Sequence, residues 1–183
     1  MITLVIGGRR SCKSAWAEAL ALEKPGNRLV YVATCPASDQ SMRERIKTHQ
    51  ERRAAQGRNW ELIEEPLELA PTLALEDSQM KNGLFFIDCI TLWISNMMQT
   101  MDDTAVRTAI CSLCATAGRL ENDAIIISNE TGLGIAPATD LGNRFIDFAG
   151  FANQELARVA HEVVFITAGL PLYLKRAERL EGN

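Results

Sequence analysis

The sequence predicts an α/β domain built on a mainly parallel sheet flanked by helices. Short apolar runs rich in β-branched residues recur along the chain, and most are apolar throughout rather than alternating. Strands buried on both faces have that character. Helical patterns fill the gaps between these runs, as they do in a doubly wound sheet. The first run leads through a glycine turn directly into a helix, the local order of a phosphate-binding loop. With no internal repeat and no low-complexity linker, residues 1–183 read as a single phosphate-loop nucleotide-binding domain.

The elements follow in order. Residues 2–6 (ITLVI) are a buried strand, and the Ala-, Leu- and Glu-rich segment over 12–23 is a helix. RLVYVAT at 28–34 is the second strand, and the charged stretch over 39–56 is a helix. Trp60 to Ile63 form a further short strand, followed by a helix over 67–79. GLFFIDC at 83–89, AIIIS at 124–128 and EVVFIT at 162–167 complete the predicted strands. Helices over 90–99, 103–120 and 140–161 separate them.

Composition narrows the function. The chain is 47% hydrophobic and 23% charged, as a globular domain is, and its net charge of −4 argues against a general nucleic-acid binder. No run reaches the roughly 18 apolar residues of a membrane span. The N-terminus enters a strand with no signal-peptide pattern, which points to a cytoplasmic protein. Five cysteines, an odd number, read as free thiols rather than a disulfide framework. Cys111 and Cys114 have metal-ligand spacing, but with no second Cys/His pair nearby they read as a core-facing helical pair.

Gly7-Gly8-Arg9-Arg10-Ser11-Cys12-Lys13-Ser14 fits G-x-x-x-x-G-K-[ST] at every position but Cys12, which stands in place of the second glycine. In such a loop backbone N–H groups and the helix dipole hold phosphate oxygens. Lys13 reaches the outer phosphates and Ser14 binds Mg²⁺. Asp88 ends an apolar strand, as a buried strand ending at a turn often does; after a phosphate loop it reads as the matching acidic ligand for Mg²⁺. On the charged helix, Arg45, His49, Arg52 and Arg53 share a face. Those cations suit a polyphosphate and favour a neutral His49, whose ring nitrogen can attack; taken alone, the segment reads more readily as a solvated charged helix with an incidental histidine. The other histidine, His161, has no such company and reads as structural. The loop from Ser128 to Pro137 follows a strand end, where α/β ligand sites form.

In order along nearly the whole chain, these segments resemble the bifunctional adenosylcobinamide kinase/adenosylcobinamide-phosphate guanylyltransferases. GGRRSCKS is similar to GGxRSGKS, YVAT at 31–34 to YIAT, and Met42-x-x-Arg45-Ile46-x-x-His49 to M-x-x-R-I-x-x-H. Trp60 to Pro66 resembles W-x-x-x-E-x-P, residues 88–96 resemble DCLTLWLSN, and residues 129–137 resemble NEVGxGIVP. The resemblance implies a RecA-like P-loop NTPase fold and two reactions. A nucleoside triphosphate, GTP or ATP, phosphorylates the aminopropanol hydroxyl of adenosylcobinamide. GTP then passes GMP through His49 to the cobinamide phosphate, giving adenosylcobinamide-GDP and pyrophosphate. It also implies nucleotide contacts at Ala33, Thr34, Cys35, Gln50, Glu51, Arg52, Arg53, Glu64 and Asp88, a corrinoid substrate and a trimeric assembly. Asn143, Ile146 and Phe151 stand where that family usually carries arginine. Together with Cys12, they leave open a degenerate paralogue that binds GTP but has lost kinase activity or all catalysis. A generic small-molecule P-loop kinase is the third reading.

Overall fold

The computed structural model describes residues 1–24, 28–35 and 60–176. The predicted helix over 39–56, with His49, lies outside the described residues. Within them the chain forms β1 (Ile2–Gly7), α1 (Lys13–Glu23), β2 (Arg28–Ala33), β3 (Trp60–Glu64), α2 (Leu69–Gln79), β4 (Gly83–Asp88) and α3 (Ile90–Met97). There follow α4 (Asp103–Ala117), β5 (Asp123–Asn129), α5 (Asp140–Val159), β6 (Glu162–Thr167) and β7 (Leu170–Lys175). The seven strands make one sheet in the order β3-β2-β4-β5-β1-β6-β7. All neighbours are parallel except β6 and β7.

The continuous apolar runs are explained by two cores, one on each face. Val5, Leu29, Tyr31, Phe86, Ile125 and Ile127 pack against Ala17 and Ala21 of α1. Their strand neighbours Leu4, Val30, Val32, Phe85, Ile87 and Ile126 face the other way, onto Leu73, Trp93, Ile110, Phe148 and Leu156 from the remaining helices. The period of two along a strand thus places alternate side chains in different cores, and a polar residue at either set would be buried.

The strand β7 was not legible in the sequence. Pro171 sits inside it, and every residue from Leu170 to Lys175 is exposed. Proline is tolerated there because the strand is at the sheet edge. The hairpin turns through Ala168 (φ 51°) and Gly169 (φ 78°), two successive left-handed residues of the kind that suit a tight two-residue connection.

Two of the described helices start on a side-chain cap. Asp102 accepts the N–H of Ala105 at 2.8 Å, and Thr139 accepts that of Gly142 at 3.2 Å. The α2 entry is held by Glu65, which accepts from Leu67 N–H (3.0 Å), Glu68 N–H (2.7 Å) and the Thr72 hydroxyl (2.9 Å). Burial works to raise the Glu65 carboxyl, but these donors outweigh it and hold it below the ordinary range. A depressed carboxyl stabilises the fold above its unfolded value of about 4.3 and ceases to as pH falls through the folded value. Glu65→Gln is therefore expected to cost about 1 kcal/mol near neutral pH. It should also flatten the loss of stability below about pH 4, as read by urea unfolding across that range.

The two-cysteine pair on α4 is corrected by the structure. Cys114 is buried but Cys111 is exposed. The buried stripe of α4 is Val106, Ile110, Leu113, Cys114 and Ala117, and Cys111 falls one position, about 100°, past Ile110. Burial pushes the Cys114 thiol up to about 12. Among the described residues no group of three or more His, Cys, Asp or Glu is placed to hold a metal ion. His161 is structural, as expected: its Nδ1 accepts the N–H of Ile2 at 2.9 Å, while its backbone N–H donates to the Ile2 carbonyl at 2.9 Å.

Candidate functional site

The first strand delivers the phosphate loop to the C-terminal edge of the sheet. Gly7 lies in register with Asn129 of β5 and Ile166 of β6. A Cβ on Gly7 would sit 2.6 Å from the Ile166 carbonyl oxygen and 2.6 Å from Ser11 Oγ, so only glycine fits beneath the loop. The loop then turns through Arg10 (φ 60°) and Cys12 (φ 69°). Cys12 is the N-cap of α1 and makes no side-chain capping bond. Its left-handed backbone explains why the motif prefers glycine at this position: the turn requires that geometry, and here it is adopted by a residue with a Cβ.

A non-glycine residue in this region costs about 1–2 kcal/mol, while glycine's greater freedom in the unfolded chain takes back about 0.5–1. Cys12→Gly is thus expected to stabilise the protein by about 0.5–1 kcal/mol, measured by chemical denaturation.

Lys13 begins α1, and its Nζ donates to the Gly8 carbonyl at 3.3 Å. Ser14 follows on the first turn, where the helix N–H groups lack intrahelical partners. Arg9 and Arg10 are exposed beside them. Asp88 ends β4, level with Ala33 of β2 and Ile127 of β5. The strand order sets β5 between β1 and β4, so the phosphate loop and Asp88 flank the end of β5. A cleft of about 440 Å³ opens there, and its lining includes Arg9, Arg10, Lys13, Ser14, Ala33, Cys35 and Asp88.

Thr34 is fully buried and has another use. Its hydroxyl donates to the Cys89 carbonyl and accepts the Cys89 N–H, both at 2.8 Å. Asn96 Nδ2 donates to the Thr34 carbonyl at 2.7 Å. Thr34 therefore ties the end of β2 to the end of β4, where the Asp88–Cys89 peptide is cis. Burial, and after it the charge of Asp88, push the Cys89 thiol up to about 11, which leaves it protonated and a poor nucleophile. Glu64 ends β3 and is exposed, outside the cleft lining. His49, Gln50, Glu51, Arg52 and Arg53 lie outside the described residues.

Of the other side chains in the cleft, Tyr31 and Phe145 are not identified as site residues from sequence, whereas Asn129 and Glu130 belong to the 128–137 loop expected to border a ligand site. Tyr31 donates its hydroxyl to Asp88 Oδ2 at 2.9 Å. Strand alternation was the available signal, since Tyr31 is two residues before Ala33 and on the same face. Asn129 donates to Thr91 Oγ1 at 2.5 Å, and its carbonyl accepts from Asn153 Nδ2 at 3.1 Å. Glu130 extends the β1–β5 pairing through its N–H to the Gly7 carbonyl (3.1 Å) and closes its own turn by accepting from Gly132 N–H (2.7 Å). Phe145 of α5 closes one wall; nothing in the local sequence distinguished it from a core phenylalanine. Asn143, Ile146 and Phe151 do not line this cleft. Phe151 instead packs under the Arg107 guanidinium, 4.9 Å from the ring centre.

The donor set fits a polyphosphate with a hard divalent cation. Three cationic side chains, Arg9, Arg10 and Lys13, share the cleft with the hydroxyl of Ser14 and the carboxylate of Asp88. Mg²⁺ is commonly held by one or two protein oxygens plus substrate phosphates rather than by an all-protein cage.

Comparison with known proteins extends the picture. The family model described as cobinamide kinase / cobinamide phosphate guanyltransferase matches residues 3–174. The bifunctional adenosylcobalamin biosynthesis protein CobP of Pseudomonas aeruginosa is 40% identical over 175 residues, covering 96% of this chain and 98% of that protein. Its counterpart CobU of Escherichia coli is 30% identical over 189 residues, covering 96% and 100%. Among solved structures, a Pyrococcus horikoshii protein superposes with a TM-score of 0.60 at 11% identity, over 97% of this chain and 87% of that one. A KaiC-like protein from the same archaeon gives 0.55 at 13% identity, over 97% and 79%. The fold is that of the RecA-like P-loop NTPases.

Proposed function

The chain belongs to the cobinamide kinase / cobinamide phosphate guanyltransferase family, and from that premise we propose that it carries out both reactions, with GMP passing through His49. The observation that carries this reading is the meeting of Lys13, Ser14 and Asp88 in one cleft beside the phosphate loop. Arg9 and Arg10 add positive charge where a triphosphate would lie.

In the kinase step, the aminopropanol hydroxyl of adenosylcobinamide attacks the γ-phosphorus of GTP or ATP. The bond from that phosphorus to the β–γ bridging oxygen breaks, the hydroxyl proton passes to solvent water, and the nucleoside diphosphate is released. Lys13 and the α1 N-terminus stabilise the charge that develops on the phosphates. Ser14 and Asp88 would hold Mg²⁺, which supplies neutralisation of that charge when bound. In the transfer step a ring nitrogen of His49 attacks the α-phosphorus of GTP. A P–N bond forms and the bond to pyrophosphate breaks. A phosphate oxygen of the cobinamide phosphate then attacks the same phosphorus, releasing His49 and giving adenosylcobinamide-GDP. Arg52 and Arg53 neutralise phosphate charge in this step. Gly7, Gly8, Ser11 and Cys12 form the loop backbone. Ala33, Cys35, Gln50 and Glu51 complete the nucleotide contacts, Thr34 acts through the strand ends that it joins, and Glu64, which ends β3 outside the cleft lining, would meet a part of the nucleotide that extends beyond it. The working form is a cytoplasmic trimer.

A degenerate paralogue would hold GTP without turnover. Two observations weigh against it: Cys12 adopts the left-handed turn expected of glycine, and the three positions that lack arginine do not line the cleft. The test is incubation with α-labelled GTP and Mg²⁺, followed by addition of cobinamide phosphate. Acid-labile, base-stable label on the protein that then moves to the corrinoid is the expected result. Tight GTP binding with no protein label and no labelled product would establish the degenerate reading instead. Turnover on another hydroxyl acceptor, with cobinamide ignored, would favour a generic kinase.

A further inference from the structure

Resting on the reading of Asp88 as a ligand of the nucleotide's divalent cation, we propose that Tyr31 is a positioning residue, holding the Asp88 carboxylate in its metal-binding orientation. Tyr31 and Asp88 sit on different strands. The β2–β4 register pairs Tyr31 with Phe86 and Ala33 with Asp88, so Tyr31 and Asp88 are diagonal neighbours on one face. A tyrosine is long enough to span that diagonal, and its hydroxyl donates to Asp88 Oδ2 at 2.9 Å.

The ring has little freedom. Tyr31 is 8% exposed. It stacks on Phe86, with centroids 5.4 Å apart and planes at 20°, and it meets Trp60 edge-on at 6.3 Å and 79°. Trp60 in turn packs edge-on against Phe86 at 5.5 Å. A phenylalanine would fill this aromatic cluster equally well, so the volume does not require a hydroxyl. What the hydroxyl adds is a directed bond to one carboxylate oxygen from a rigid base. Mg²⁺ demands near-octahedral geometry, and hydrogen bonds that orient a metal's carboxylate commonly change metal affinity about 10- to 100-fold.

Tyr31→Phe removes that bond and leaves the ring. The probe is Mn²⁺, followed by the loss of its free electron paramagnetic resonance signal in the presence of saturating GTP. The half-saturating Mn²⁺ concentration is expected to rise about tenfold. GTP binding in EDTA, measured by calorimetry, should stay close to that of the wild type. In an Asp88→Asn background the same Tyr31→Phe change should leave the Mn²⁺ titration where Asp88→Asn alone puts it. A merely structural tyrosine would lower the melting temperature and weaken GTP with and without metal alike. Wild-type Mn²⁺ affinity in Tyr31→Phe, an equal shift in the Asp88→Asn background, or an equal loss of GTP in EDTA would each overturn the proposal. Each would leave the reading of the site standing. Wild-type protein that gathers no Mn²⁺ with GTP would overturn the reading of Asp88 and the proposal together.

Discussion

His49→Ala is expected to abolish guanylyl transfer, with no acid-labile GMP on the protein, while the kinase step continues. The expected fall in transfer is at least about 10⁴-fold, since loss of a covalent nucleophile removes the pathway itself rather than one stabilising contact. The measurement is paired: α-labelled GTP reports protein label and labelled corrinoid, and γ-labelled nucleotide reports cobinamide phosphate. Cobinamide phosphate should accumulate in this variant. Normal labelling of His49→Ala would place the nucleophile elsewhere. Cys89 and Cys114 are poor alternatives, buried with thiols pushed up to about 11 and about 12, and Cys111 lies outside the cleft lining. Cys35, which lines the cleft, is the thiol such a result would implicate.

Lys13→Ala is expected to cut phosphoryl transfer by about 10²–10³-fold, the effect of removing one preorganised charge from a developing phosphate transition state. The Lys13 side chain closes on the Gly8 carbonyl within its own loop, and it belongs to neither apolar core. The melting temperature should move little while the phosphorylation rate collapses. If Lys13→Ala instead retained the kinase rate, the loop would be a scaffold rather than the phosphate cradle. The two variants together separate the half-reactions, because one acts at the γ-phosphorus and the other at the α-phosphorus.

Much of the fold was legible because its signals are local. Each predicted strand within the described residues is present, and each predicted helix there agrees to within a few residues at its ends. A strand buried on both faces needs an apolar run whatever its neighbours are, so ITLVI, LFFID and AIIIS declare themselves. The strand β7 did not, because an exposed edge strand with a proline has neither the composition nor the alternation that burial imposes. The lack of a second Cys/His pair points Cys111 to the core together with Cys114, but the actual direction of the α4 stripe depends on what α4 packs against.

The site divides in the same way. Lys13, Ser14 and the loop could be read from contiguous residues, since a phosphate loop is a local backbone conformation followed by a helix start. Asp88 was readable as an acid ending a strand. That Asp88 faces the phosphate loop across β5, and that Tyr31 reaches over from β2 to hold it, follows from strand order and register. The sequence by itself determined the layered α/β architecture and the phosphate loop, because burial periodicity and turn chemistry act between residues close in the chain; the two reactions entered only through the resemblance of its ordered motifs to a family. The tertiary structure alone decided which side chains share the cleft. Strand pairing and inter-strand hydrogen bonds join residues dozens of positions apart, and nothing local to either partner encodes the meeting.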